Sequence, residues 1–443
     1  MNNAIARQMY FLAQKLRGEN TPDKLEELKR IQWLSPPKIR LQQQQMIEKI
    51  IKYATEHVSL YRERLRGIKG YEEFERIPLL TRKEVMTNLD SLISEDCSRN
   101  SLLKYHSSGS TGEPVTLYFT PQAMGYFHAA QYRGFSWYGL EPTDRCIKFW
   151  GVPFETTARL KEYLKDFVMN RNRISAFNMS EGAMASYYRE SLRFRPLYLY
   201  GYALALFRFG QYLKETGRDG RALNLKVVIS TAEVLYEHQR FLLEEVFGCR
   251  VVNEYGAAEV GIIGFECPDG GIHIANENVY LEVLRDGRPA KEGEVGDVVV
   301  TGLRNHAMPL IRYKLGDLAA VPSKEHCPCG RGLPLIKSLA GRDNDMVVTA
   351  EGKILHSEIF AYINRDLIKD GHRIREFKII QTAKDLLRVL VPKDTEDNTL
   401  FALQQQIKRH IGWDMRIQVE HVDEIPRERS GKVRYFVSEL PRL

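Results

Sequence analysis

Positions 107 to 112, Ser107-Ser108-Gly109-Ser110-Thr111-Gly112, put four hydroxyl side chains and two glycines in one short run, followed by Glu113 and Pro114. Glycine lets the main chain approach a phosphate closely, and amide and hydroxyl groups donate hydrogen bonds to its oxygens. The run Val115–Phe119, apolar except for Thr116, predicts a strand directly after it. The loop is therefore a candidate phosphate cradle. It is not a Walker A loop, because the Gly-Lys-Ser/Thr ending is absent and position 113 is Glu. Taken alone, the same residues also describe an ordinary polar turn between strands.

Further stretches carry chemistry of a related kind. Asn253-Glu254-Tyr255-Gly256-Ala257-Ala258-Glu259 follows a predicted strand, where α/β folds commonly place ligand-binding residues. Tyr255 could stack on a base, and Glu259 could hold a divalent cation near phosphates. Asp317 ends the stretch that begins at Arg312 and is suited to accept hydrogen bonds from a ribose diol. Gly341 to Asp345 reads as a hinge. The polar turn Pro426 to Arg434 delivers one lysine, Lys432, near the chain end. Cys267 with His273, and Cys327 with Cys329, form two tight pairs in turn-rich sequence. Three thiolates and an imidazole suit a closed, structural zinc site, against the alternative of four unrelated residues. Cys97, Cys146 and Cys249 show no partner pattern and read as packing residues.

These groups need elements to hold them. Residues 1 to about 95 read as helical: Ile47, Ile50, Ile51, Ala54, Val58 and Tyr61 make one amphipathic stripe, and Thr81 to Glu84 has capping-box form. From 115 to 253 strand-like runs (Cys146–Trp150, Leu197–Tyr200, Leu225–Ser230, Arg250–Asn253) alternate with helical ones around 122–137, 181–193, 203–215 and 233–247. That alternation predicts an α/β fold with mostly parallel sheets flanked by helices. Val279–Leu284, Val295–Thr301 and Leu310–Tyr313 suggest a β subdomain. Beyond Gly341 the runs Phe377–Thr382, Leu386–Pro392, Leu400–Ile411 and Met415–Val422 suggest a small α+β unit able to fold by itself. The expected division is 1–341 as a large N-terminal domain, 342–345 as hinge and 346–443 as a small mobile C-terminal domain.

Composition narrows the function classes. Of 443 residues, 43% are hydrophobic and 27% charged, as in globular proteins. The 64 basic and 57 acidic residues give +7, too slight and too dispersed for a nucleic-acid binder, and no long basic run carries interleaved aromatics. No apolar run approaches the roughly 18 residues of a membrane span. Met9–Ala13 is the only apolar stretch near the start, so no secretory signal is expected, and six cysteines without a disulfide framework point to the cytoplasm.

In this order and spacing the motifs resemble those of the adenylate-forming acyl ligase superfamily, most closely its phenylacetate–CoA ligase and capsule-biosynthesis branch. They cover about three quarters of the chain, from Ser107 to Val437. The resemblance implies conversion of a small carboxylic acid and ATP to an acyl-adenylate and pyrophosphate, then acyl transfer. Ser107, Ser108, Gly109, Ser110, Thr111 and Gly112 resemble the phosphate-binding loop, and Ala232 and Glu233 lie where the family contacts the adenine side. Glu254, Tyr255 and Gly256 resemble the adenine-stacking segment, Glu259 the Mg2+ ligand, Asp317 the acid on the ribose, and Arg342 the arginine opening the hinge. Lys432 resembles the lysine that reaches the carboxylate and α-phosphate, and Lys432, Glu259 and Thr111 make up the implied catalytic set. Zinc on Cys267, His273, Cys327 and Cys329 occurs in part of this branch. Trp137, Trp150, Phe154, Tyr200 and Tyr202 fall where the acyl pocket is expected, although aromatics at such spacing also describe ordinary core.

Two positions depart from the family pattern. Glu113 stands where many relatives have lysine, and Asn344 where the hinge acid usually is. Coenzyme A is the first expectation for the acceptor, with an amine as the runner-up and a non-catalytic nucleotide-binding regulator as the rival from another class. Oligomeric state is left open, a homodimer included.

Overall fold

The computed structural model describes the chain except residues 1, 108–114, 152–155, 177, 322–325, 343–345, 352–353, 358, 361–362, 364–366, 368–369, 371, 373, 375–376, 427–435 and 441–443. Only the backbone is described at 156–159, 161, 340–342, 346 and 354–356. Two compact units result, Met1–Leu339 and Ala340–Leu443.

In the first unit, strands β1 (Leu103–His106) and β2 (Thr116–Phe119) form a hairpin. The large sheet takes β3 (Cys146–Trp150), β4 (Arg171–Ser175), β5 (Tyr198–Tyr202), β6 (Val227–Thr231), β7 (Arg250–Ala257), β8 (Gly261–Glu266) and β9 (Ile272–Ile274). Strands β4, β3, β5, β6 and β7 run parallel in that order, and β8 and β9 then continue antiparallel. Both faces are buried, which is why β5 and β6 carry no charged residue. One face sets Ile147, Phe149, Leu199, Val228 and Val251 against Phe209 and Leu243 of helices Ala203–Glu215 and Glu237–Phe247. The other sets Tyr198, Tyr200, Val227, Ile229 and Val252 against Ala129, Tyr132 and Phe135 of helix Pro121–Ser136. Strand β4 does not announce itself in the sequence, since Arg171, Asn172 and Arg173 are polar; it is the edge strand, where charge is admissible.

A second sheet contains β10 (Val279–Arg285), β11 (Arg288–Pro289), β12 (Val295–Gly302) and β13 (Tyr313–Ala320), all antiparallel. Strand β14 (Leu335–Ile336) returns to the large sheet beside β9. Tyr313 starts β13 rather than ending a Leu310–Tyr313 strand, because Arg312 adopts φ +50, which an extended strand cannot contain. The N-terminal stripe is split as well. Helix Pro36–His57 stops where Val58 turns extended, and Tyr61 lies on a separate helix, Ser59–Arg64. Both pieces still pack into one core with Val298, Val300, Leu310 and Tyr313. Thr81 and Glu84 form the expected capping box, opening helix Arg82–Thr87.

The second unit holds a four-stranded sheet ordered Arg416–Val422, Leu386–Pro392, Lys378–Ala383, Phe436–Ser438. Helix Asp397–Ile411 buries Leu403 and Ile407 with Val389, Val391 and Phe436. Fully buried Gln381 accepts from the Val348 amide at 3.0 Å and donates to its carbonyl at 2.6 Å, fixing the Met346–Val348 strand. No helix among the described residues is long and apolar enough to cross a membrane.

Two glycines in helices separate packing from propensity. A Cβ at Gly125 would overlap the Glu19 carbonyl oxygen, whereas one at Gly182 meets nothing within 4 Å. Gly125→Ala is expected to destabilise the protein by about 1–3 kcal/mol through overpacking, and Gly182→Ala to stabilise it by about 0.5–1 kcal/mol through backbone entropy. Urea denaturation of both variants measures the difference in sign; equal midpoints would contradict the packing described.

Candidate functional site

The Ser/Gly loop is the tip of the β1–β2 hairpin, whose register pairs His106 with Thr116. At its neck the Ser107 amide donates to the Val115 carbonyl at 2.9 Å, and the Val115 amide donates back to Ser107 Oγ at 3.0 Å. Ser107 is buried there. Ser108, Gly109, Ser110, Thr111 and Gly112 lie outside the described residues.

Tyr255 and Glu259 stand at the carboxyl end of β7, the end at which parallel sheets present their loops. A register shift between Tyr255 and Gly256 re-aims the chain there. The Tyr255 hydroxyl donates to Asp317 Oδ2 at 2.8 Å, joining the large sheet to β13 of the second. That bond fixes the orientation of the ring and leaves the other oxygen of Asp317 outside it. Buried Tyr313 is hydrogen-bonded to Arg82 and lies in the fields of Glu259 and Asp317, and burial pushes its phenol far up. Arg82 also reaches Ser107 Oγ at 3.5 Å. Ser107, Tyr255, Glu259 and Asp317 therefore gather around Arg82 and Tyr313, neither of which the sequence reading assigned a role. Tyr313 sits inside the stretch ending at Asp317, and Arg82 follows the capping Thr81, which were the available signals.

A second group occupies the ends of β5, β6 and β7. Ala232 takes φ +66, a left-handed turn that an alanine adopts only under constraint. Glu233 Oε2 accepts from the Leu204 amide at 2.9 Å, placing its charge at the N-terminus of helix Ala203–Glu215. The Glu254 carboxylate turns inward. It accepts from the Tyr200 hydroxyl at 2.7 Å, Thr231 Oγ1 at 3.1 Å and Gln131 Nε2 at 3.0 Å. Burial raises its pKa, opposed by those three donors. Trp150, Tyr200 and Tyr202 pack together, with ring centroids 4.4 Å apart for Trp150 and Tyr202. Trp137 does not join them: its indole donates to Gln32 at 2.8 Å and lies 5.6 Å from His273. Phe154 is outside the described residues.

The four metal-type residues come together at the antiparallel end of the large sheet. Cys267 follows β8, His273 lies in β9, and Cys327 and Cys329 sit in the turn leading to β14, which pairs with β9. Their ligand atoms all lie within 4.8 Å of one another. Cys267 Sγ is 3.5 Å from Cys327 Sγ, and His273 Nε2 is 3.2 Å from Cys329 Sγ. Tetrahedral zinc with bonds of about 2.3 Å to sulfur separates its sulfurs by about 3.8 Å, so the set fits that ion. His273 Nδ1 lies 3.2 Å from the Leu333 carbonyl, which assigns the proton to Nδ1 and leaves Nε2 free to ligate. Burial lowers the imidazole to about 4, keeping it neutral at physiological pH, and raises the Cys267 thiol to about 12.

In the second unit Arg342 is described by its backbone alone, and Lys432 and Asn344 are outside the described residues.

Comparison with known proteins places this arrangement. Residues 347–439 match the family model "CapK C-terminal domain". The chain is 23% identical to Protein CapK of Staphylococcus aureus, over 90% of this chain and 89% of that protein. It is 24% identical to a phenylacetate-coenzyme A ligase of Thermus thermophilus, over 91% and 97%. A shorter match, 31% over 117 residues and 28% of that protein, is to the indoleacetate–lysine synthetase of Pseudomonas savastanoi. The crystal structure of 2-hydroxyisobutyryl-CoA ligase in the postadenylation state shares the fold, with TM-score 0.72, 17% identity, and 93% and 91% of the two chains covered. Over about nine-tenths of its length the chain is thus similar to CapK and to phenylacetate–CoA ligase, and it shares the fold of an acyl-CoA ligase.

Proposed function

We propose that this protein activates a carboxylic acid with ATP, releasing pyrophosphate, and passes the acyl group from the resulting adenylate to coenzyme A. The observation that carries the reading is the Tyr255–Asp317 pair near Glu259 at the carboxyl edge of the sheet, linked through Tyr313 and Arg82 to Ser107 at the neck of the hairpin. Similarity to ligases named for coenzyme A thioesters supports it. An amine acceptor is the second reading, favoured by the stretch similar to a lysine synthetase.

In this reading the Tyr255 ring stacks on adenine, and Asp317 accepts from the ribose hydroxyls. The hydroxyls and amides of 107–112 hold the phosphates. A carboxylate oxygen of the acid attacks the α-phosphorus, and the bond to the bridging oxygen of pyrophosphate breaks. The acid is already ionised at neutral pH, so no general base is required. Negative charge grows on the α-phosphate oxygens, and Lys432 is the group assigned to meet it. Glu259, a nearly buried carboxylate at the loop, would hold Mg2+, which supplies positive charge to the phosphates when bound. Cys267, His273, Cys327 and Cys329 would hold structural zinc; with four protein ligands, no position remains for a substrate. The protein is read as cytoplasmic.

Three outcomes follow from these assignments. Lys432→Ala is expected to lower acyl-adenylate formation about 100- to 1,000-fold while ATP binding survives, measured by pyrophosphate release and nucleotide titration. Adenylation at the wild-type rate would remove Lys432 from its role. Metal analysis should find one zinc per chain, and Cys329→Ser should lower thermal stability and soluble yield more than the turnover of folded protein. Zinc-free protein with freely reactive thiols would refute the site. Lys432 must also withdraw before a bulky acceptor can reach the carbonyl, so residues 342–345 are proposed to let the C-terminal unit turn between two poses. Proline would fix φ at 344 and restrict Asp343. Asn344→Pro should therefore spare first-turnover pyrophosphate release and slow thioester formation; product at the wild-type rate would move the pivot elsewhere.

A further inference from the structure

On the face of the large sheet covered by helix Pro121–Ser136, β3 presents Lys148 and Trp150 at successive same-side positions. The register sets Lys148 between Tyr200 of β5 and Arg173 of β4. Its ammonium lies 4.3 Å from the Trp150 ring centroid and 5.2 Å from that of Tyr200. Trp150 in turn stacks on Tyr200 and packs tilted against Tyr202. Aromatic faces thus enclose one cation, with contacts that offset only part of its lost hydration. A lysine so placed ordinarily pairs with a carboxylate.

Here the neighbouring acids are already committed. Glu162 and Asp166 hold Arg173 at 2.5 and 2.7 Å, and Glu254 takes its three donors from Tyr200, Thr231 and Gln131. Among the described residues, no carboxylate lies within ion-pair distance of Lys148 or of Arg171, the other basic residue on this side of β4. Lys148 is half-buried as a residue, and the burial of its ammonium, reinforced by the like charges of Arg171, Arg173 and Lys165, lowers it to about 7. The contacts that a cation makes here are with the rings of Trp150 and Tyr200 and, at longer range, with Glu254, whose carboxylate already has its three donors, and an apolar residue of the same length would fill the space without desolvation cost.

Position ties the lysine to the ligase site. Lys148 lies beside Tyr200; Tyr200 donates to Glu254; and the next residue, Tyr255, donates to Asp317. Lys148 and Tyr200 sit one same-side step, about 7 Å, inward from the Thr231–Glu254 row at the carboxyl ends of the strands. An acid whose reacting carboxylate meets the nucleotide at that edge would extend its far end inward along these rings.

We propose that Lys148 anchors an anion subsite for the acyl substrate, so that the preferred acid carries a second anionic group, such as a distal carboxylate, at the end away from the reacting carboxyl. This rests on the ligase reading above, and it specifies the substrate class which that reading leaves open.

The test uses two matched pairs of probes, phenylacetate with 4-carboxyphenylacetate and hexanoate with adipate. Calorimetric binding and pyrophosphate release are measured for wild type, Lys148→Met and Lys148→Arg. One charge-assisted contact is expected to favour the dianion of at least one pair about 10- to 100-fold in wild type. Lys148→Met should collapse that ratio towards one, and Lys148→Arg should retain part of it. Loss of affinity for both members of a pair to the same extent would mark Lys148 as structural and overturn the subsite, as would a wild type without preference in either pair. Should the Met variant not fold, the wild-type ratios and the Arg variant still decide. Dianion preference in binding without pyrophosphate release would keep the subsite and remove the ligase reading. Release with equal kcat/KM for both members of each pair would do the reverse.

Discussion

Much of the N-terminal unit is held in place by one desolvated guanidinium. Arg312 is 5% exposed, and leaving it unpaired there would cost several kcal/mol. Its Nε and Nη2 donate to the two Glu282 oxygens at 3.1 and 2.8 Å, and Nη1 donates to the carbonyls of Ile77, at 2.8 Å, and Glu75. The main chain of the same residue accepts from the Leu80 amide at 2.8 Å, and the Lys314 amide donates to the Leu80 carbonyl at 2.9 Å. Satisfying Arg312 therefore fixes the Glu75–Leu80 segment against the start of β13. Arg82 follows two residues later, which is how a residue of the N-terminal helical region comes to stand beside Ser107 and Tyr313. The left-handed backbone at Arg312 is the local cost of this joint.

The large sheet divides its tasks between its two ends. Its parallel part is closed on both faces, so its loops are the surfaces left for ligands, and Tyr255, Glu259 and the Ala232 turn sit there. Its antiparallel part ends in β9 and β14, which are only three and two residues long, although Ile272, Ile274 and Ile336 still reach the core. The turns beside these short strands bring Cys267, His273, Cys327 and Cys329 together. Buried Glu254 lies on β7, the last parallel strand, with donors supplied by Tyr200, Thr231 and Gln131, while half-buried Lys148 lies three strands away on β3 against aromatic rings.

Much of this was legible in the chain. The strands at 146–150 and 386–392 and the helix at 203–215 follow the apolar pattern residue for residue, because burial on one or two faces writes itself directly into composition. The capping box at Thr81 and the Cys/His set were legible because each depends on side-chain type at short spacing. Strand β4 was not, because an edge strand needs little apolar content, nor was the Thr156–Val168 helix, whose Glu162 and Asp166 face Arg173 while Leu160, Tyr163, Leu164 and Phe167 are exposed. That inversion defeats a reading in which apolar means inside.

The sequence by itself determined the α/β class, the order of the motifs and the residue types able to bind phosphate, nucleotide and metal. Those properties reside in local composition and in spacing along the chain. Only the tertiary structure decided which of them meet: Tyr255 with Asp317 across two sheets, Glu254 inward with Tyr200, Trp137 beside His273 rather than with Trp150, and Lys148 among aromatic rings. Each of these depends on strand register and on which donors and acceptors burial leaves unsatisfied, and neither can be computed from one segment without the others packed against it.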